Sequence, residues 1–198
     1  MFIKKIIQGE IGLLLDINGA KSAPLSEQAL LRLRNDILKS ILAPGSQLKL
    51  DNLKEHYGFS SSPLREALNR LVAEGLVVME DRRGFFVAPI STSDLNEITR
   101  LRCLLEPEAL NNSISNGDDA WEALIIASYY RLERAESRLI EKTPYISDIE
   151  WASLHQDFHD TLISACEYEQ LLQIRTTLFY QAQRYWHIWA VANPKPVN

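Results

Sequence analysis

From Leu25 onward the apolar positions Leu30, Leu33, Ile37, Leu38 and Ile41 keep the spacing of one helix face. The pattern stops at "APGSQL", where Pro44 and Gly45 form a turn. A short second helix follows with Leu50, Leu53 and Tyr57 inward, and Gly58 can take the left-handed conformation that closes it. Ser62 suits an N-cap and Pro63 the first position of a third helix. Its residues Leu64, Ala67, Leu68, Leu71 and Val72 recur at i, i+3, i+4, i+7 and i+8, and Gly75 ends it. The period then changes. "LVVME" and "FFVAP" are short Val- and Phe-rich runs around "DRRG", which predicts a two-stranded hairpin with Gly84 near its tip. Three helices and a hairpin over residues 25–90 make a winged helix-turn-helix, a shape that places its third helix in a DNA major groove.

Residues 91–198 read as helix throughout. Ser93 or Thr92 caps a helix to about Asn116, where "SNGDD" breaks it. A second spans roughly 119–142 and ends at "KTP"; a third runs from about Ser147 to Cys166; a fourth runs from about 168 to Val191, before "NPKPVN" forbids continuation. Four amphipathic helices with short connections predict an antiparallel bundle. The fold class is therefore mainly α: an N-terminal winged helix-turn-helix followed by a helical domain, with residues 1–24 as an N-terminal arm.

Composition changes this picture in three places. The 198 residues are 46% hydrophobic, enough for real cores, and no run of eighteen apolar residues is present to cross a membrane. "MFIKKIIQGEIGLLLDI" opens with two lysines, but Glu10, Gly12 and Asp16 interrupt its apolar part, so it reads as an arm rather than a signal peptide. Cys103 and Cys166 both fall inside helical patterns, which predicts buried free thiols in a reducing cytoplasm. The net charge of −5 hides an asymmetry: residues 25–90 hold nine Lys/Arg against eight Asp/Glu, and residues 91–198 hold nine against sixteen. An acidic body with a nearly neutral head is compatible with DNA binding, because the local field at a few phosphates outweighs the total.

With the apolar stripe of the third helix turned inward, Arg65, Glu66, Asn69 and Arg70 face outward. Arg65 and Asn69 can then reach base edges or phosphates, and Arg70 shares their exposed side. Ser60, Ser61 and Ser62 and the free amides of the helix start suit phosphate oxygens. Arg82 and Arg83 beside Gly84 put two cations where a wing tracks the backbone or minor groove, and Lys49 and Lys54 add candidate phosphate contacts. The alternative for each residue alone is a solvated surface charge.

In order, the proline-glycine turn, the Ser-x-x-Pro-Leu-Arg-Glu-Ala-Leu core at residues 60–68 and the glycine-tipped hairpin resemble the N-terminal domain of GntR-type bacterial transcriptional regulators, over about residues 30–88. The resemblance implies that Arg65 is a main DNA contact and that Gly84 lets the wing approach the backbone. The chain departs from the family pattern at Ser61, where an arginine is usual, and near Asp51, where another basic residue is common. "RLRCLLEPEAL" and "HQDFHDTLISACEYEQLL" are similar to motifs of the FCD-type all-helical effector domain of the FadR-like branch, in texture nearest to its carbon-starvation regulators that respond to glutarate. Such domains continue through two more helices beyond the point where this sequence stops, so the resemblance implies a domain lacking its last helices. It also implies a divalent metal of zinc or nickel type near His155 and His159, where the usual first ligand is Asp or Asn, and a small carboxylate held by Arg102.

The residues themselves leave these points open. His155 and His159 are four apart on a helix and project from one face with Ala152 and Leu162. Two imidazoles can chelate an ion but are too few for a tight site, and the alternative is a half-buried, hydrogen-bonded pair. A zinc protease is a poor reading, because His-Glu-x-x-His needs its base beside the first histidine and Gln156 stands there. Arg102 shares a stripe with Ile98, Leu105 and Ala109, so it either pairs with Glu106 one turn on or offers its fork to a carboxylate. Tyr129, Tyr185, Trp186 and Trp189 line a pocket or fill the core. No nucleophile with a positioned base is visible. The expectation is a cytoplasmic, homodimeric DNA-binding regulator, a repressor tuned by a small carboxylate. A regulator that binds DNA without sensing and a metal-dependent enzyme are the alternatives.

Overall fold

The computed structural model describes residues 23–139 and 149–192. Residues 1–22 of the N-terminal arm, the expected helix end at "KTP", Ser147 and the closing "NPKPVN" therefore lie outside the described residues. The chain divides into two compact units, with the boundary between Asp94 and Leu95.

In the first unit, helix α1 (Leu25–Leu38) buries Ala29, Leu30, Leu33, Arg34 and Ile37. The expected stripe ran to Ile41, but the helix stops three residues earlier. Ser40 turns left-handed (φ 55°), and Ile41 is left 63% exposed. Helical spacing alone did not reveal that the turn toward Pro44 and Gly45 (φ 77°) starts before them.

Strand β1 (Gln47–Leu48) leads into α2 (Leu50–Tyr57), closed by Gly58 in the left-handed conformation (φ 73°). Helix α3 (Ser61–Ala73) buries Leu64, Ala67, Leu68 and Leu71 completely. Its N-cap is Ser60 rather than Ser62, which places Pro63 third in the helix, still within the first turn where its missing N–H costs nothing. At the other end the Gly75 N–H donates to the Val72 carbonyl and the Leu76 N–H to the Leu71 carbonyl, both at 3.0 Å. With Gly75 at φ 69°, this is a Schellman close. Arg34 ties α1 to this end: its Nε and Nη2 donate to the two Glu74 carboxylate oxygens at 3.0 and 2.6 Å.

Strands β2 (Val77–Glu80) and β3 (Gly84–Val87) form the expected antiparallel hairpin, with Val78 opposite Phe86 and Glu80 opposite Gly84. The sheet is three-stranded, however, in the order β1-β3-β2. β1 pairs Gln47 with Phe86 and Leu48 with Phe85, and at two residues it is too short to show any period in the sequence.

The second unit is helical: α4 (Thr92–Asn116), which enters it at Leu95, α5 (Asp119–Leu139), α6 (Ile149–Leu162) and α7 (Glu169–Ala192). Ser91, not Ser93 or Thr92, caps α4, its Oγ accepting from the Asp94 N–H at 3.1 Å. Asp118 caps α5 through the Trp121 N–H at 2.8 Å. Helix α5 packs along α6. Ala109, Ile163 and Cys166, with Leu110, Leu162, Leu171 and Leu172 around them, form a core between α4 and the α6–α7 corner. Cys103 departs from expectation. It is exposed, because the inward arc of α4 runs through Ile98, Ala109 and Ser113 and Cys103 falls off it.

Candidate functional site

The outward face of α3 carries Arg65, Glu66, Asn69 and Arg70, all exposed. Between α3 and the hairpin lies a groove of about 450 Å³ lined by Arg65, Asn69, Met79, Glu80, Asp81, Arg82, Gly84 and Phe85. The fold thus brings together Arg65 and Asn69 from the helix with Arg82 and Gly84 from the wing, residues separated by a strand and a turn in sequence.

Backbone geometry shapes the tip. Asp81, Arg82 and Arg83 connect the strands, the Arg83 N–H donates to the Glu80 carbonyl at 3.1 Å, and Arg82 is left-handed (φ 61°) beside Gly84 (φ 89°). Gln47 on β1 anchors the turn from outside, its Nε2 donating to the Arg83 carbonyl at 2.7 Å. At the start of α3 Ser60 and Ser62 are exposed and Ser61 is half-buried. Ser60 sits at the N-cap without making a side-chain cap hydrogen bond, so the first-turn amides keep their donors for an oxyanion.

The other expected cations are placed differently. Arg70 is turned to α1, where its Nη1 donates to Glu27, and it does not line the groove. Arg83 pairs with Glu80 three residues back and covers the Phe86 ring at 5.0 Å. Lys49 is exposed at the N-cap of α2, and Lys54 pairs with Asp51 at 2.6 Å, holding the Asp51 carboxyl below its usual range. Sequence reading missed Met79, Glu80, Asp81 and Phe85. The alternation along "LVVME" puts Val77 and Met79 on one face, yet Val77 is buried and Met79 is 61% exposed, because the strand runs past the end of the core.

In the second unit a polar cluster lies among α4, α6 and α7. Arg102 donates from Nε to Glu106 Oε1 at 2.8 Å, and its Nη2 lies 2.8 Å from the same oxygen. Its guanidinium lies 5.8 Å from the Phe179 ring centre and 5.2 Å from that of Trp186. Of the two open readings of Arg102, the ion pair with Glu106 is therefore present. Arg175 from α7 is buried. It donates from Nη1 to Asp160, lies over Phe179 at 5.1 Å, and has its Nε 3.9 Å from Glu106 Oε1.

His155 and His159 are half-buried on α6 with ring centres 4.6 Å apart, and Trp151 stacks on His155 at 4.7 Å. Burial first, then the neighbouring His159, pushes the His155 imidazole down to about 4. Burial, then Arg175, also lowers His159. Both rings are neutral at pH 7. Among the described residues no group of three or more His, Cys, Asp or Glu side chains could hold a metal ion. Two imidazoles beside two guanidinium groups do not fit the divalent ion implied by the family resemblance. Of the aromatic candidates, Tyr185 is buried and Trp186 packs under Arg102, whereas Tyr129 and Trp189 are exposed. No helix among the described residues is long and apolar enough to cross a membrane.

Comparison with known proteins agrees with this geometry. Residues 25–87 match the family described as bacterial regulatory proteins, gntR family, and residues 97–197 match the FCD domain. The chain is 38% identical over 169 residues to the uncharacterized HTH-type transcriptional regulator BphR of Paraburkholderia xenovorans (strain LB400), covering 85% of this chain and 69% of that one. It is 36% identical to the HTH-type transcriptional repressor GlaR of Escherichia coli (strain K12), covering 79% of this chain and 70% of the repressor. The solved structure of E. coli McbR/YncC shares the fold with a TM-score of 0.69 at 24% identity, over 87% of this chain and 78% of that one.

Proposed function

Because the chain belongs to the gntR family of bacterial regulatory proteins and is a transcriptional regulator built from a winged helix-turn-helix and an FCD domain, we propose that it is a repressor whose operator affinity is set by a small carboxylate metabolite. One observation carries the DNA half of this reading: Arg65 and Asn69 share a groove with Arg82 and Gly84 at the open end of α3. Arg65 donates to a guanine edge or a phosphate, Asn69 suits an adenine edge, and Arg82 follows the backbone beside the wing. Glu80 and Asp81 on the groove wall repel phosphate and confine the duplex to the Arg65 side.

The effector half rests on Arg102 and Arg175, two guanidinium groups gathered in an interior where the histidines are neutral, which suits an anion better than a cation. The bound acid favours one placement of paired DNA-reading heads and so changes affinity for a two-fold operator. A homodimer supplies that symmetry; Leu101 and Leu104 on α4 and Ile126, Tyr129 and Tyr130 on α5 are exposed apolar side chains available to a subunit contact. A regulator of chromosomal DNA works in the cytoplasm.

The test is a binding assay on the DNA flanking its own gene, with and without succinate, glutarate and a chelator. Specific binding that weakens with a dicarboxylate and ignores the chelator supports the reading. Binding indifferent to every acid leaves a DNA-binding regulator without sensing, and turnover of a small molecule without DNA affinity supports an enzyme.

A further inference from the structure

We propose that Glu106 is an internal competitor: its carboxylate occupies Arg102 while the effector site is empty, and an entering acid must displace it. This rests on the carboxylate reading above and adds the residue that sets the site's affinity and its response.

Arg102 and Arg175 face Glu106 and Asp160, two guanidinium groups against two carboxylates, so the ion-paired cluster is balanced. Adding an anionic ligand to a balanced, largely buried cluster leaves an uncompensated negative charge, which is strongly unfavourable. One resident carboxylate must give way. The side chains are unequal in their access to water: Arg175 is 6% exposed, Arg102 and Asp160 are each 18% exposed, and Glu106 is 30% exposed. Glu106 is therefore the anion that can turn to solvent at least cost, while Asp160 stays on Arg175.

Hydrogen bonding points the same way. A guanidinium fork is best matched by two carboxylate oxygens, yet Nε and Nη2 of Arg102 both rest on Glu106 Oε1. Arg175 Nε is buried with no hydrogen-bond partner, its nearest ion-pair oxygen being the same Oε1 at 3.9 Å. One oxygen thus stands before three donors. A ligand carboxylate seated between the two arginines brings two oxygens, enough to meet the Arg102 fork and the orphaned Arg175 Nε together. Glu106 lies one turn beyond Arg102 on the same helix, which makes it a short-range stand-in with poorer geometry than the ligand it precedes.

The experiment is calorimetric titration of the full chain with succinate and with glutarate, using wild type, Glu106→Gln and Glu106→Asp. Gln removes the charge, and Asp retains it on a side chain too short to hold Arg102 in the same way. Melting with and without ligand shows that each variant is folded. If Glu106 leaves Arg102 free about a tenth of the time, both variants bind the better dicarboxylate about tenfold more tightly than wild type. A wild-type protein that binds an acid as tightly as both folded variants, or more tightly, overturns the competitor role and leaves the effector reading intact. Absence of binding in all three proteins overturns the effector reading, and the competitor falls with it.

Discussion

Glu74→Ala removes the carboxylate that accepts from Arg34 Nε and Nη2 at 3.0 and 2.6 Å, beside a guanidinium whose side chain is 8% exposed. Breaking a buried pair from one side costs about 3–5 kcal/mol, since the remaining charge loses its bidentate partner in a poorly hydrated site. The Glu74 side chain is 20% exposed, so water reaches part of the site and the lower end applies, about 3 kcal/mol. The pair joins α1 to the closing turn of α3, so the loss falls on the packing that orients α3. Hydrogen exchange of α1 and α3 peptides reads it locally, which matters in a chain of two units whose global melt need not be two-state. A cost of 3 kcal/mol accelerates exchange through cooperative opening about a hundredfold. The double replacement Arg34→Met with Glu74→Leu recovers most of it, because an apolar pair carries no desolvation debt. Acceleration below threefold in Glu74→Ala would refute the reasoning, as would a double variant no more protected than the single one.

Gly117→Ala places a Cβ 2.1 Å from the Trp121 ring, which also holds the Thr161 carbonyl through Nε1 at 3.0 Å; the indole must move, at about 1–3 kcal/mol, seen as a lower melting temperature and a shifted tryptophan emission. Arg82→Gly relieves a left-handed non-glycine residue, stabilising the wing by about 1 kcal/mol, while reducing the salt slope of DNA binding by about 1 through loss of a phosphate contact; unchanged slope removes Arg82 from the interface. His155 titrates at about 4 and His159 below its ordinary 6.5, whereas the unfolded chain protonates both near 6.5. Their contribution to stability is complete above pH 6.5 and is lost as pH falls toward 4. A His155→Gln, His159→Gln variant therefore loses less stability than wild type between pH 7 and 4.5, and parallel pH profiles would contradict the shifts.

Where a local pattern and the tertiary environment ask the same thing, the fold is legible in the sequence. Leu64, Ala67, Leu68 and Leu71 are fully buried because their spacing makes one stripe, and Gly58 closes α2 because a left-handed position there favours glycine. Ile41 kept the helical period but has no helix beneath it, since the backbone had already turned at Ser40. β1 carried no signal, because pairing with β3 is a property of its partner and not of Gln47 and Leu48. The groove was legible in half: Arg65 and Asn69 follow from the helix face, but its carboxylates, and the diversion of Arg70 to Glu27, depend on which elements meet. The same holds deeper in the chain. Arg102 stood out on an apolar stripe, whereas Arg175 and Asp160 become partners only once α6 and α7 are packed.

The proposed DNA interface depends first on Arg65 in the groove between α3 and the hairpin. The direct measurement is the affinity of Arg65→Ala for the operator beside its own gene and for unrelated DNA, each over a range of salt. A contact to a base edge predicts a loss of about 1–3 kcal/mol on the operator with a much smaller loss on unrelated DNA. Operator affinity equal to that of the unsubstituted protein at every salt concentration would contradict it.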